Sequence, residues 1–295
     1  MYLKYYLAAI VAYTIWGFFS LPLRALQAYS SFDILGYRIM FTLSLMILTL
    51  LLFRRKTLKS SWDTYKKLKS SEKKHLLTIN FLSGLIFAVN WFVFIYVMNH
   101  VSVNATSLAY LICPIMTVVL AVFILKEKLS QIQWIAVLIC VVSCGMMSIG
   151  HFEELMYSSV VALSYAFYPI LQRRNHQLDR FVILTFQVLF AVILLLPFFP
   201  YHITSMEKTA VFYEIVTLIA ILFTIIPMYL TIYALKGLNS SVVGIFMYLN
   251  PIFTFLLAIF YFNEKLSFVQ GLGFGLILMG IILFNIKIIK EKVFR

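Results

Sequence analysis

Pro114–Gln133 reads PIMTVVLAVFILKEKLSQIQ, and Pro251–Gln270 reads PIFTFLLAIFYFNEKLSFVQ. The two stretches lie 137 residues apart, align without a gap and share 11 of 20 residues. Each begins in an apolar run and ends on a Glu-Lys-Leu-Ser turn. A repeat at about half the length of a 295-residue chain marks a duplicated unit. In a membrane protein such a duplication points to a transporter built from two related halves around a central site.

Composition places the chain in a membrane. Hydrophobic residues make up 63% of it and charged residues only 12%, too little polar surface for a soluble protein of this size. Ten apolar stretches are long enough to span a bilayer as helices: 5–26, 33–53, 75–99, 103–125, 131–149, 155–172, 180–200, 212–235, 241–262 and 268–289. The expectation is an all-α integral membrane protein with ten transmembrane helices, divided into five-helix repeats over 1–150 and 151–295. The apolar N-terminal run has no clear small-residue cleavage site and reads as a retained first span.

The net charge of +13 invites comparison with nucleic-acid binders, but its distribution fits a membrane topology instead. With the N-terminus inside and ten spans, 20 Lys and Arg fall on the inner side. Three (Arg24, Lys208 and Lys265) fall outside, and Arg38 lies within a span. That asymmetry predicts two cytoplasmic termini. Five spans per half is an odd number, so the halves must insert upside down relative to each other. The Glu127–Lys128 turn then lies inside and its twin, Glu264–Lys265, outside, as two inverted five-helix repeats require. In both turns a Ser precedes a Gln by three residues, Ser130 and Gln133, Ser267 and Gln270. This is the pattern of a capping box opening spans five and ten.

Several strings resemble the EamA family of the drug/metabolite transporter superfamily, and within it the RarD-like branch. They are AYTIWGF at 12–18, DILGYRI at 33–39, NWFVFIYVMNHVSVNATSLAYLICP at 90–114 and YPILQRR at 168–174. The resemblance covers almost the whole chain and is most specific over 90–134. It implies an inner-membrane carrier of small molecules, often an exporter, with span one as an inner helix. Gln187 stands where the resemblance expects a Glu, and Tyr37 where it expects a His.

Polar and aromatic residues inside spans are the candidate site, because each is costly in hydrocarbon unless partnered. Arg38 is the basic residue well inside a span, where a central Arg costs ~3 kcal/mol on insertion scales. It lies ~9 Å from the outer end of span two at the helical rise, so either it serves binding or helix linkage, or it snorkels outward. Tyr13, Trp16, Gly17 and Ser20 share one helical face, suited to stacking a flat substrate or to ordinary helix packing. The remaining substrate-binding candidates are Asn90, Trp91 and Tyr96 in span three and Tyr110 in span four. Span eight contributes Tyr229 and Tyr233, and span nine Tyr248 and Asn250. Pro114 and Pro251 hold equivalent places in the two halves and are candidate hinges. His100 reads as a residue near the outer end.

All eleven acidic residues fall in loops or at span ends, which leaves no mid-membrane carboxylate for a proton relay. Coupling would then use a His, a Tyr or an end-located acid such as Asp33, or transport runs downhill. Cys113, Cys140 and Cys144 read as small apolar residues rather than metal ligands. Metalloprotease, phosphate-loop, dinucleotide and CxxC motifs are absent, so no enzyme, metal or cofactor is expected. The expected partners are membrane lipids and a small-molecule substrate, with no nucleic acid, for a monomer or homodimer. Ser60–Lys74 reads either as an amphipathic surface helix or as a disordered basic loop. The leading expectation is a secondary transporter, an exporter of small metabolites or drug-like molecules working by alternating access. Its rivals are a lipid or lipid-linked sugar flippase and a non-transporting receptor or scaffold.

Overall fold

The computed structural model describes residues 3–100, 103–149, 152–175, 177–261 and 267–286. The Glu264–Lys265 turn, the basic tail after 286 and the His100 side chain lie outside the described residues. The described parts of the ten apolar stretches are largely helical, and no strand occurs among the described residues. In chain order they are α1 (Leu3–Gly17), α2 (Ser20–Ala25), α3 (Ser31–Leu52), α4 (Arg55–Lys67), α5 (Ser70–His100), α6 (Val103–Leu125), α7 (Gln131–Met147) and α8 (Phe152–Arg173). There follow α9 (Arg180–Leu195), α10 (Phe199–His202), α11 (Ala210–Ala220), a π-helical segment (Ile221–Ile225) and α12 (Ile226–Ala234). The chain ends with α13 (Ser240–Phe246), α14 (Leu249–Phe260) and α15 (Phe268–Phe284).

Six continuous or interrupted segments are long and apolar enough to cross a bilayer: Leu3–Ala25, Ser31–Leu52, Ser70–Phe94, Arg180–His202, Ala210–Ala234 and Ser240–Phe260. Ala109–Leu125, Gln131–Met147 and Phe268–Phe284 are shorter apolar helices. Large apolar side chains such as Leu48, Leu138 and Ile193 point outward from these helices. Such an exterior is stable in lipid, where the backbone must satisfy its own hydrogen bonds.

Helix starts follow the sequence chemistry. Ser130 and Ser267 both form the reciprocal capping box with Gln133 and Gln270. Ser30 accepts from Asp33 N at α3, and Asp179 accepts from Phe181 N and Val182 N at α9. Small residues let helices approach closely. A Cβ at Gly280 would stand 2.5 Å from Cys140 Sγ and 3.2 Å from the Ala136 carbonyl oxygen. In the same α7–α15 contact, Ser143 Oγ donates to the Gly273 carbonyl at 2.7 Å.

Two expectations are sharpened by the fold. Within Ser60–Lys74, residues 60–67 belong to α4 and 70–74 to α5, so the stretch is helical rather than a loop. Span one is not a single helix: it breaks at Phe18–Phe19, between α1 and α2. Pro22 explains the break, because it lacks the N–H that would close the preceding turn.

Candidate functional site

An aromatic ring of side chains closes around the centre of the helix packing. Tyr13 and Trp16 on α1 lie 5.4 Å apart between ring centroids, and Trp16 meets Tyr165 of α8 edge-on at 6.4 Å. Tyr165 stacks with Tyr168 at 5.9 Å, and Tyr168 contacts Phe87 of α5 at 4.4 Å. Phe87 stacks on Trp91 at 5.4 Å. The Arg38 guanidinium of α3 lies 5.7 Å from the Trp91 ring and 5.2 Å from the Phe19 ring. Phe19 in turn faces Phe223 at 5.5 Å.

The π-helical segment closes the ring. Pro227 lacks the N–H that a regular helix would offer to the carbonyl four residues earlier, that of Phe223. The helix widens over Ile221–Ile225, and the freed Phe223 oxygen accepts from Trp16 Nε1 at 2.8 Å. The next residue, Thr224, accepts from Arg38 Nε at 2.9 Å and donates to the Ile219 carbonyl at 3.1 Å. Single-turn π segments often mark functional positions in helices. Tyr110 and Tyr165 also stand four residues before a proline, Pro114 and Pro169, so their carbonyls lose the same donor.

Arg38 therefore points inward, and snorkelling to the surface does not occur. Its contacts are a threonine hydroxyl and two aromatic faces, with no carboxylate partner among the described residues. A half-buried cation without a counter-ion is costly, and cation–π contacts of about 0.5–2 kcal/mol each offset part of that cost. Tyr110 of α6 is exposed and lies 5.8 Å from the Phe94 ring of α5. Tyr13 Oη and Thr231 Oγ1 are buried and face each other, without a further hydrogen-bond partner among the described residues.

Tyr13, Trp16, Arg38 and Trp91 are thus brought into one chain of contacts, and the other candidates lie elsewhere among the described residues. Asn90 Nδ2 donates to the Val161 carbonyl at 3.2 Å and to Ser164 Oγ at 2.9 Å, tying α5 to α8. Tyr229 and Tyr233 stack at 6.4 Å in a separate group that reaches Tyr5. Tyr248 is fully buried with its hydroxyl 3.7 Å from Cys144 Sγ. Asn250 accepts from Thr254 Oγ1 and lies against Gly17. Tyr96 is exposed on α5. The candidate hinges differ in setting: α6 runs unbroken through Pro114, whereas the helix is interrupted at Met247–Tyr248, just before Pro251.

Four features were not found from sequence. Phe87, Tyr165 and Tyr168 complete the ring, yet in the chain they look like ordinary aromatic residues of a span. The buried amides Asn80, Gln172, Asn175 and Gln187 form a network joining α5, α8 and α9. In it Gln187 Nε2 donates to Asn80 Oδ1 and Gln172 Oε1, while Tyr168 donates to Gln187 Oε1. Asp33, buried at 0% exposure, accepts from Thr204 N and Oγ1 and pairs with Lys208 at 3.3 Å. Glu127 accepts from Ser240 N at 2.8 Å, Ser241 N at 3.0 Å and Ser241 Oγ at 2.6 Å. The repeated Glu-Lys turn thereby caps α13, helped by Lys126 in the left-handed region at φ 57°. Only an acid a few residues beyond an apolar run hints at this in the sequence.

The fold is that of a helical membrane protein, and comparison with known proteins places it in a transporter family. Residues 3–149 and 154–286 each match the EamA-like transporter family, and the chain belongs to that family, in its RarD-like branch. An uncharacterized transporter of Bacillus subtilis (strain 168), YojE, is 28% identical over 96% of this chain and 93% of its own length. Protein RarD of Streptomyces exfoliatus is 26% identical over 92% of this chain and 85% of its own. Protein RarD of Escherichia coli (strain K12) is 24% identical over 94% and 92%. A solved crystal structure superposes with a TM-score of 0.73 over 97% of this chain and 98% of that one, at 16% identity. That likeness speaks to the fold alone.

Proposed function

We propose that this membrane transporter is a ten-span secondary carrier that moves a small, flat or amphipathic molecule with an anionic or carbonyl group. The observation that carries the substrate class is Arg38, a cation inside the aromatic ring without a carboxylate partner among the described residues. Ring faces stack the body of such a molecule, and the guanidinium binds its oxygen atoms. Export is the direction that the family resemblance favours.

Alternating access between two inverted five-helix repeats, 1–150 and 151–295, supplies the movement. The packing pattern supports this reading, because it maps onto itself when the halves are exchanged. The α6–α8 contact has α1–α14 as its counterpart, α5–α9 has α3–α11, and α1–α12 has α5–α8. The α3–α9, α6–α13 and α7–α15 contacts each map onto themselves. Pro114 and Pro251 serve as bending points, and Glu127 on α13 as a contact that one state makes and the other releases. The basic 54–74 segment favours an inner membrane with both termini in the cytoplasm.

Flux in proteoliposomes tests the proposal. Purified protein should move at least one aromatic or amphipathic carboxylate from a metabolite panel, and Arg38→Ala should abolish that movement. A panel without any flux above protein-free vesicles, with the protein folded, would refute it.

A further inference from the structure

Two cavities meet on the α4 side of the molecule, away from the aromatic ring. One is polar, about 390 Å³ in volume, and lies between α4 and residues 177–179, with Lys56, Ser60, Ser61, Thr64 and Gln177 on its walls. The other is an apolar groove of about 180 Å³ between α3 and α9, lined by Leu43, Ile47, Leu51, Leu58, Phe186 and Leu189. They adjoin: Thr57 borders the polar cavity and its neighbour Leu58 the groove. On α9, Asp179 borders the first and Thr185 the second, six residues or ~9 Å along the helix.

We propose that the pair holds one anionic glycerophospholipid with a hydroxylated headgroup, its acyl chain in the groove and its headgroup in the polar cavity. The linings supply both parts of such a molecule, an apolar groove beside an open, hydroxyl-lined polar recess. Charge selects the sign. Arg54, Arg55, Lys56 and Lys59 cluster at this end of α4, where Asp179 is already engaged by Arg54 at 3.3 Å. Basic residues at the membrane surface attract anionic headgroups. Gln177 Oε1 selects the headgroup chemistry: it is buried and without a hydrogen-bond partner, an acceptor that a headgroup hydroxyl satisfies. The groove sits at bilayer depth beside the exposed Leu51 and Leu52, with Phe53 at 82% exposure marking where the chain leaves the apolar layer.

Native mass spectrometry of the intact, delipidated protein tests this, with phosphatidylglycerol, phosphatidylethanolamine or phosphatidylcholine added back. One phosphatidylglycerol should remain bound under activation that strips the other two. Lys56→Ala should weaken its retention about tenfold. Ile47→Trp, which fills the groove, should abolish retention while leaving the lipid-free melting temperature unchanged. Lys66→Ala, on the same helix but outside the cavity, should have no effect. Equal retention of phosphatidylcholine would overturn the proposal. So would an equal loss with Lys66→Ala, which would mean diffuse attraction, or equal thermal stabilisation by inorganic phosphate or glycerol alone. Flux measured on the same samples separates this site from the transport reading, since lipid retention does not require turnover.

Discussion

Arg38 shows how one residue can be identified from sequence yet left without a role. A lone Arg within a span is costly, so its presence demands a partner or an exit to water. Geometry decides between them: Nε is taken by Thr224 while aromatic faces flank the guanidinium. Replacing it with Ala should lower transport at least tenfold, about 1.4 kcal/mol of lost interaction. Lys, which keeps the charge but loses the planar fork, should fall between Ala and the native residue. Initial rates normalised to protein content in vesicles measure both, and an Ala variant at full rate would remove Arg38 from the site. Asp33 teaches the opposite lesson. Read as an acid at a span end, it is in fact buried against Lys208, whose side chain is 5% exposed. Breaking a buried pair strands the remaining charge, a cost of about 3–5 kcal/mol. Asp33→Asn should therefore lower the melting temperature in detergent, and an unchanged transition would show that the pair contributes little.

Elements that depart from regular helix carry the site. The consequence of Pro227 lies four residues upstream, where the Phe223 carbonyl turns to Trp16. Pro227→Ala gives that carbonyl a helical donor again. The π segment should then relax, Trp16 should lose its acceptor and transport should fall, with overall helicity unchanged by circular dichroism. Undiminished flux would mean that the segment is a passive irregularity. The Glu127 cap on α13 joins the fourth span to the ninth, across the two halves. In Glu127→Gln, an NH₂ group replaces one of the accepting oxygens, so a donor faces donors. The expected loss is about 1–3 kcal/mol of this contact. If the contact holds one transport state closed, accessibility of cysteines introduced near α13 should rise in the variant. Accessibility equal to the parent would confine Glu127 to a static role.

At the scale of the whole molecule, the repeat and the charge asymmetry were legible because both are written in one dimension. Apolar length gives spans, Ser and Gln three apart give caps, and both capping boxes form. Much of the site was legible in kind but not in membership. Tyr13, Trp16, Arg38 and Trp91 gather in one chain of contacts, whereas Tyr110 meets Phe94, Tyr248 turns toward Cys144 and Tyr229 toward Tyr233. In lipid, an aromatic residue facing a neighbour, the bilayer or a cavity reads the same in the chain, because all three surroundings accept it.

The sequence by itself determined that this is a helical membrane protein with a duplicated plan, since hydrophobic length and internal identity need no knowledge of neighbours. Tertiary structure alone decided which aromatic faces close into a ring. It also decided that Phe87, Tyr165 and Tyr168 belong to that ring, and that Arg38, Asp33 and Glu127 each meet partners more than a hundred residues away. The physical reason is that helix formation is local, satisfied within four residues, whereas the pairing of buried polar groups depends on which helix faces are pressed together.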